Sequence, residues 1–339
     1  MHIYFVFLSV FTIFAAESKK IMGRIYDSLT DLVGHTPLLR LGRWADAWGL
    51  PSAPLAKLEM MNPAGSVKDR TALWMIDDAE KRGVLTAGGT IIEPTSGNTG
   101  VGMAMISRVR GYRLILTMPD TMSKERIGLL KAYGAEVVLT PGKDGMAGSV
   151  AEAQRLEREI KGAVILGQFD NKANPLAHYE STANEIWTDT DGHVDAFVAG
   201  VGTGGTLCGT ARKLKELNND IYIIGVEPAS SPMISEGRSG AHKLQGIGAN
   251  FVPENYDDSV VDEVMGIDDD EAIRAARLLS EKEGLLCGFS GGAALVAAGR
   301  LISRMKGGNV VVVLPDGGER YLSTELFTDR CTVRVKSEK

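Results

Sequence analysis

Lys68 is the residue with the clearest potential for chemistry, because it stands in segment 62–70, between a predicted strand and a predicted helix. Ser66 and Asp69 have the spacing of a helix capping box, which places Lys68 in the first helical turn. The positive end of the helix dipole disfavours an ammonium group there, and burial would lower the pKa of the lysine further. An amine with a lowered pKa is a nucleophile for a carbonyl group. An isolated lysine would instead be a solvated surface residue. Whether Lys68 is reactive therefore depends on what the other segments indicate.

Small polar residues crowd segment 95–100, which reads Thr-Ser-Gly-Asn-Thr-Gly and connects a predicted strand to a predicted helix. Hydroxyl groups, an amide and free backbone N–H groups at a helix start are suited to hold a carboxylate. An ordinary helix cap with a glycine turn explains one Ser or Thr. It does not explain so many small polar residues in one place.

A glycine-rich segment, 200–206, follows another predicted strand directly and reads Gly-Val-Gly-Thr-Gly-Gly-Thr. Its glycines allow the backbone to close around a phosphate, and its threonines add hydroxyl donors. The same glycines meet the GxGxxG spacing of dinucleotide-binding loops, and Glu227 lies where a ribose partner would be expected. A phosphate site and an NAD site therefore both remain open for this loop.

A fourth segment, 287–294, reads Cys-Gly-Phe-Ser-Gly-Gly-Ala-Ala and is a small-residue entry to a helix. By itself it indicates only a close helix-packing turn. In open α/β sheets, however, ligands bind at the carboxyl ends of strands, beside helix N-termini. Loops that run from a strand into a helix are therefore where we expect the chemistry.

The elements that must position these segments alternate along the chain. Short runs rich in Val, Ile and Leu are followed by stretches of helical period, a pattern typical of βαβ units and parallel sheet. The predicted strands are residues 55–58, 90–92, 113–118, 136–139, 163–166, 194–199, 221–226 and 310–314. The predicted helices are residues 68–82, 99–110, 124–133, 149–161, 206–217, 270–283 and 292–305.

The composition is that of a globular protein that binds small molecules. With 339 residues, 44% hydrophobic and 24% charged, the chain can form a core without a disulfide or a metal. Its net charge of −6 argues against nucleic acids and anionic membranes as partners. Cys208, Cys287 and Cys331 are odd in number and far apart, and the five histidines show no HExxH spacing. We therefore expect no disulfide and no metal site, and a reducing compartment.

The first residues raise a separate question, because residues 3–16 are nearly all apolar and residues 17–20 are polar. This run is too short for a membrane span, and we expect no stable one. It has the length of a signal-peptide core, but no Lys or Arg precedes it. Met22 is a natural start, so we interpret residues 1–21 as a mis-assigned start and expect a cytoplasmic protein. Export or an organellar location is the alternative if residues 1–21 act as a signal.

Taken together and in this order, the four segments resemble the cysteine synthase (O-acetylserine sulfhydrylase) family and its sister family, cystathionine β-synthase. The resemblance covers residues 25–327 and implies pyridoxal 5'-phosphate as the cofactor, carried by Lys68. It implies that Asn98 binds the ring hydroxyl and that Ser290 faces the pyridine nitrogen. The implied phosphate site consists of Gly202, Thr203, Gly204, Gly205 and Thr206.

The same resemblance implies a site for the substrate carboxylate. Gly291 is a departure, since cysteine synthases commonly have a second serine there, but Ser290 is retained. The implied carboxylate site consists of Thr95, Ser96, Gly97, Thr99 and Gln168.

The implied fold is α/β, with two three-layer αβα domains and mainly parallel twisted sheets, as in fold type II pyridoxal-phosphate enzymes such as the tryptophan synthase β subunit. We expect residues 39–172 to form the N-terminal domain, with Lys68 and the substrate loop. Residues 22–38 and 173–330 would form the C-terminal domain, with the phosphate loop.

The implied reaction is β-replacement, in which O-acetylserine loses acetate and the resulting α-aminoacrylate adds sulfide to give cysteine. A serine beside the pyridine nitrogen leaves that nitrogen mostly unprotonated, which disfavours a long-lived carbanion and suits β-elimination. Lys68 would remove the α proton. Family members are usually homodimers, so we expect a homodimer.

Three alternatives remain. Cystathionine β-synthase activity, with homocysteine as acceptor, is favoured by segments 175–179 and 284–288, whereas segments 115–123 and 242–248 favour cysteine synthase. A regulatory binding partner of serine acetyltransferase is a second alternative, which intact Lys68 argues against in any purely non-catalytic form. A nicotinamide dehydrogenase is the third, and it leaves Lys68 and segment 95–100 unexplained.

Overall fold

Two separate β-sheets organise the chain in this computed structural model, which describes residues 25–95 and 97–328, except for the side chains of residues 124 and 125. The larger sheet has six strands in the order β1-β2-β10-β7-β8-β9, and all neighbours are parallel except β1 with β2. The smaller sheet has four parallel strands in the order β5-β4-β3-β6. The strands are β1 Leu38–Arg40, β2 Leu55–Leu58, β3 Thr90–Pro94, β4 Arg113–Pro119, β5 Glu136–Thr140, β6 Ala163–Ile165, β7 Ala196–Gly200, β8 Tyr222–Pro228, β9 Glu263–Ile267 and β10 Val310–Leu314.

Helices connect the parallel strands, as βαβ units require. Those of the described residues are α1 Gly42–Trp48, α2 Lys68–Lys81, α3 Asn98–Arg110, α4 Lys124–Ala132, α5 Gly145–Glu159, α6 Ala173–Ala177, α7 Ala183–Asp189, α8 Gly205–Leu217, α9 Met233–Glu236, α10 Asp269–Glu283 and α11 Phe289–Met305. A π-helical turn, His178–Thr182, joins α6 to α7. The expected α/β architecture with mainly parallel sheets is confirmed.

The predicted elements recover eight of the ten described strands and the long helices but miss β1, β9, α1, α9 and the segment 173–189. β1 has only three residues and pairs antiparallel at the edge of its sheet. β9 is a half-buried edge strand that contains a charged residue and a glycine, so it lacks an apolar run. Segment 173–189 begins with Pro175 in its first turn and contains a π-helical turn, which obscures the helical period.

The core of the larger sheet includes α11, whose residues are buried along nearly the whole helix. Such a helix has no polar face because it is enclosed on all sides. It packs against α10 and against β10, which is itself buried throughout. The first residues of α11 are consequently held in a fixed position beside the end of β10.

Strand order brings two of the predicted segments together. β2, β10 and β7 are neighbours in the larger sheet and run parallel, so their carboxyl ends lie at one edge. Segment 62–67 follows β2, residues 315–317 follow β10, and the glycine-rich segment follows β7. Segment 95–97 follows β3 of the smaller sheet.

A buried network of charges joins the larger sheet to α2 and α7. The guanidinium of Arg70 donates to both carboxylate oxygens of Glu59, at 2.8 and 2.9 Å, and to both oxygens of Glu185, at 2.6 and 2.7 Å. Lys57 lies 2.8 Å from Glu185, and Thr36 donates to Glu59 at 2.6 Å. Burial raises the pKa of Glu59, but the Arg70 guanidinium, together with Thr36 and Lys57, outweighs this effect and lowers the pKa to about 2.

The division of the chain into domains remains a proposal. The two sheets provide one possible criterion, and by that criterion β1 and β2 belong with the larger, C-terminal sheet, whereas the predicted boundary places residues 39–58 in the N-terminal domain. No described helix is both long and apolar enough to cross a membrane.

Replacing Arg70 by Met should destabilise the fold strongly, because Glu59 and Glu185 would lose a buried partner. We expect the free energy of unfolding to fall by about 3–5 kcal/mol, as measured by urea denaturation. The matched control is Arg113→Met, which removes a half-exposed pair with Glu136 and should cost no more than about 1 kcal/mol. Equal losses for both variants would contradict a special role for the buried network.

Candidate active site

Lys68 is the first residue of α2, as predicted, but the predicted capping box does not form. The residue before the helix, Val67, has no side-chain cap. The Asp69 carboxylate instead accepts a hydrogen bond from the Ala64 N–H at 2.6 Å, and Ser66 Oγ accepts from the Lys68 N–H at 3.2 Å. The Asp69 side chain therefore folds back and is hydrogen-bonded to the short turn that precedes the helix.

The environment of the Lys68 side chain favours a neutral amine. Burial lowers the pKa of Lys68, while the nearby carboxylates of Asp316 and Glu59 oppose this effect. Lys68 lines a small cavity together with the glycine-rich segment, Gly246, Ile247 and Pro315. The structure therefore brings the predicted nucleophile and the predicted phosphate loop to one cavity.

The glycine-rich segment is closely packed against neighbouring backbone and side chains. Gly204 has φ +82°, and a Cβ atom there would lie 2.7 Å from the Tyr256 nitrogen. A Cβ atom on Gly202 would lie 2.4 Å from the Gly246 carbonyl oxygen, and one on Gly205 would lie 2.0 Å from Asn174 Oδ1. The loop can hold this shape only with glycine at these positions.

Two buried side chains orient the threonines of the same loop. Asn174 donates to Thr203 Oγ1 at 2.9 Å, and His178 Nε2 lies 3.2 Å from Thr206 Oγ1. Burial lowers the pKa of His178 to about 3, so its ring is neutral. The loop precedes α8, a helix of 13 residues, and its N–H groups and hydroxyls are the groups that the predicted phosphate site requires.

Two members of the predicted carboxylate site, Thr99 and Gln168, are in contact. Thr99 Oγ1 donates to Gln168 Oε1 at 2.6 Å, and the Gly97 N–H donates to Thr95 Oγ1 at 3.3 Å. The Glu93 carboxylate fixes the turn that carries Gln168 by accepting three backbone N–H groups at 3.1 to 3.2 Å. Ser96, the remaining predicted member, lies outside the described residues.

Asn98 and Ser290 each occupy the first turn of a helix. Asn98 Nδ2 donates to Asp316 at 2.6 Å, and its Oδ1 accepts from Arg320 at 2.7 Å. Ser290 is buried near the start of α11, where its Oγ lies 3.6 Å from the position that a Cβ atom on Gly246 would take. Since Gly246 also lines the Lys68 cavity, Ser290 lies close to the same site.

Glu227 does not serve as a ribose partner. Its buried carboxylate accepts from the backbone N–H groups of Ile234 and Ser235 and from the Ser235 hydroxyl, at 2.8, 3.2 and 2.5 Å. Both oxygens are occupied in holding α9 near the end of β8. Among residues 25–95 and 97–328, no group of three or more His, Cys, Asp or Glu side chains could hold a metal ion.

Comparison with known proteins agrees with this geometry. Residues 29–316 match the family model described as "Pyridoxal-phosphate dependent enzyme". The chain belongs to this family. Cysteine synthase A of Salmonella typhi is 48% identical over 322 residues, which are 92% of this chain and 98% of that protein.

Two solved structures illustrate the range of similar proteins. A cysteine synthase from Entamoeba histolytica has a TM-score of 0.88 and 41% identity, with 94% of each chain covered. A hydrogen sulfide-producing enzyme from Fusobacterium nucleatum has a TM-score of 0.85 and 45% identity, with 89% of this chain and 99% of that chain covered. The fold is therefore fold type II, the protein is an enzyme, and its cofactor is pyridoxal 5'-phosphate.

The residues around Lys68 fit this cofactor. The amine has a lowered pKa, and the glycine-rich loop presents N–H groups and hydroxyls at a helix start in the same cavity. The family match supports the cofactor phosphate as the ligand of segment 200–206 and gives no support to a dinucleotide, so the phosphate site stays a prediction.

The sequence analysis missed several residues that build the site: Asn174, His178, Asp316 and Arg320. Asp316 could have been found, because it directly follows the predicted strand at residues 310–314, at the sheet edge where ligands bind. Asn174 and His178 carry no such signal, since they lie in the helical segment that the periodicity did not reveal.

Replacing Gly204 by Ala should weaken cofactor binding, because the new methyl group would collide with the Tyr256 backbone and push the loop out of shape. We expect the dissociation constant of pyridoxal phosphate to rise by at least about tenfold, which is about 1.4 kcal/mol. The measurement is a fluorescence or absorbance titration of the apoprotein.

The matched control is Gly237→Ala. Gly237 has a similar φ of +66°, but a Cβ atom there would meet nothing within 4 Å. It should share the general cost of a left-handed alanine, about 1–2 kcal/mol in stability, and leave the dissociation constant unchanged. A normal dissociation constant for Gly204→Ala would show that the loop is not the phosphate site.

Proposed function

We propose that this protein is a cysteine synthase that converts O-acetylserine and sulfide to L-cysteine and acetate. The observation that carries the proposal is the meeting of Lys68 with the glycine-rich phosphate loop in one cavity, in a chain 48% identical to a cysteine synthase A over 92% of its length. When bound, the cofactor supplies an electron sink for the bonds at the α-carbon of the amino acid. The protein's own residues must then position the substrate and move the proton.

Lys68 carries the cofactor and acts as the base that takes the α proton of the substrate. Its lowered pKa supports both roles, because an unprotonated amine is needed for attack and for proton removal. The amine lies at the start of α2, whose position is set by the buried charges around Arg70. The cofactor and the acyl-serine would therefore meet a base on a helix that buried ion pairs connect to the larger sheet.

We assign the remaining roles from the family resemblance. Thr95, Ser96, Gly97, Thr99 and Gln168 bind the substrate carboxylate, supported by the hydrogen bond between Thr99 and Gln168. Asn98 binds the ring hydroxyl, and Ser290 offers a neutral hydroxyl to the ring nitrogen. The phosphate is held by Gly202, Thr203, Gly204, Gly205 and Thr206, with the threonines oriented by Asn174 and His178.

A second candidate function is cystathionine synthesis, with homocysteine in place of sulfide. One observation favours it: a cavity of about 530 Å³ borders Asn98 and is lined by Arg126, Gln245 and Arg320, which leaves room and positive charge for a second amino acid. Sulfide needs neither. We prefer sulfide because cysteine synthases dominate the most similar relatives.

Purified protein should be yellow when supplied with pyridoxal phosphate, and Lys68→Ala should remove the absorbance that arises from a covalent link to the lysine. Lys161→Ala is the control, because Lys161 is an exposed lysine away from the site and should keep the colour. A colourless wild-type protein that takes up no cofactor would contradict the proposed function.

Acceptor choice is tested by supplying O-acetylserine with either sulfide or homocysteine and identifying the product by mass spectrometry. We expect cysteine to form faster than cystathionine, and Lys68→Ala to form neither at a comparable rate. A preference for homocysteine would replace our first function by the second.

Assembly, partner and location remain predictions: the first two come from the family resemblance, and the location comes from the interpretation of residues 1–21 as a mis-assigned start. These are a homodimer, an interaction with serine acetyltransferase, and a cytoplasmic location. The reducing environment of the cytoplasm suits Cys208 and Cys287, which are buried and free in the structure. Cys331 and the apolar residues 3–16 lie outside the described residues.

A further inference from the structure

The carboxamide of Asn98 is held at both of its ends. Its Nδ2 donates to Asp316 Oδ2 at 2.6 Å, and its Oδ1 accepts from Arg320 Nη1 at 2.7 Å. The two ends of an amide have opposite hydrogen-bonding character, so these contacts determine which end faces which way. Nδ2 has a second N–H, and no described residue accepts from it.

Asp316 is in turn fixed in place. Its Oδ2 also accepts from the Tyr321 hydroxyl at 2.5 Å, and its backbone bridges to Ser66, two residues before Lys68. Its Oδ1 is buried without a partner and lies 2.3 Å from the position that a Cβ atom on Gly288 would take. Only glycine at position 288 leaves room for this carboxylate.

Arg320 reaches Asn98 from the opposite side. Its Nη2 donates to the carbonyl oxygen of Ala64, in the turn that precedes Lys68. A Cβ atom on Gly65 would lie 2.5 Å from the same nitrogen, so the glycine makes the approach possible. Asp316 and Arg320 therefore connect Asn98 to the turn that carries Lys68.

We propose that Asp316 and Arg320 are positioning residues, which hold the Asn98 amide so that its free N–H points to the ring hydroxyl of the cofactor. This inference rests on the proposed role of Asn98. If either contact is lost, the amide can turn and offer its oxygen, which would repel a hydroxyl oxygen that has given up its proton. The alternative explanation is that Asp316 acts only as a charge partner of Lys68.

The test compares Asp316→Ala, Asp316→Asn and Arg320→Lys in the holoenzyme and the apoprotein. An asparagine at position 316 retains an oxygen that can accept from Asn98 and Tyr321, but it has no charge. Lysine at position 320 keeps the charge but loses the planar fork that reaches both Asn98 and Ala64. Readouts are the dissociation constant of pyridoxal phosphate, the absorbance maximum of the bound cofactor, and the melting temperature with and without cofactor.

We expect Asp316→Ala and Arg320→Lys each to raise the dissociation constant by about tenfold, because each loses one hydrogen bond to a charged group. Both variants should also move the absorbance maximum of the bound cofactor. Asp316→Asn should remain within about twofold of wild type. The rise in melting temperature on adding cofactor should shrink only in the first two variants, because it follows the dissociation constant. A purely structural role would lower the melting temperature of both forms equally.

Each outcome decides the proposal. If Asp316→Asn is as impaired as Asp316→Ala, the charge of Asp316 is what matters and positioning is wrong. If Arg320→Lys binds and absorbs as wild type does, the proposal is also wrong, and this variant decides even if Asp316→Ala does not fold. A wild-type protein that binds no cofactor would instead overturn the proposed function.

Discussion

The geometry of the site depends on the buried ion pairs of the Arg70 guanidinium. Arg70 lies two residues beyond Lys68 and binds Glu59, just after β2, and Glu185 in α7. Buried ion pairs of this kind add little net stability relative to apolar residues, but they are costly to break. Their effect is therefore specificity: the first turn of α2 has one low-energy position relative to the larger sheet, and the reactive amine has one position with it.

From this turn, hydrogen bonds reach the glycine-rich loop and the turn that carries Gln168. Thr71, in the first turn of α2, donates to Asn174, and Asn174 donates to Thr203 of the phosphate loop and to the carbonyl of Gln168. The buried Asn174 amide thus connects the phosphate loop, the carboxylate site and the helix that begins at Lys68. The bonds that Asn174 donates are buried, so they hold the glycine-rich loop and the turn of Gln168 relative to each other.

Sequence reasoning recovered what depends on local pattern. β2 and β10 were predicted to the residue, because each is a short apolar run with clear ends. The loops of the site were visible as unusual densities of Gly, Ser and Thr. The partners of these loops were not, because Asn174 lies 103 positions from Thr71 and Asp316 lies 218 from Asn98. No periodicity encodes such separations. The capping box failed for a different, local reason, since the Asp69 carboxylate accepts from the Ala64 N–H instead.

The loops that identify the family do not determine which nucleophile the enzyme accepts. Elimination from O-acetylserine is common to cysteine and cystathionine synthesis, so Lys68 and the carboxylate site serve both. The choice must depend on residues that contact the incoming nucleophile, beside Asn98. There Arg126 donates to Gln245 at 2.8 Å, across the cavity that also includes Arg320. Sulfide is small enough to pass these groups without binding them, whereas homocysteine has a carboxylate that would need an arginine released from its present partner.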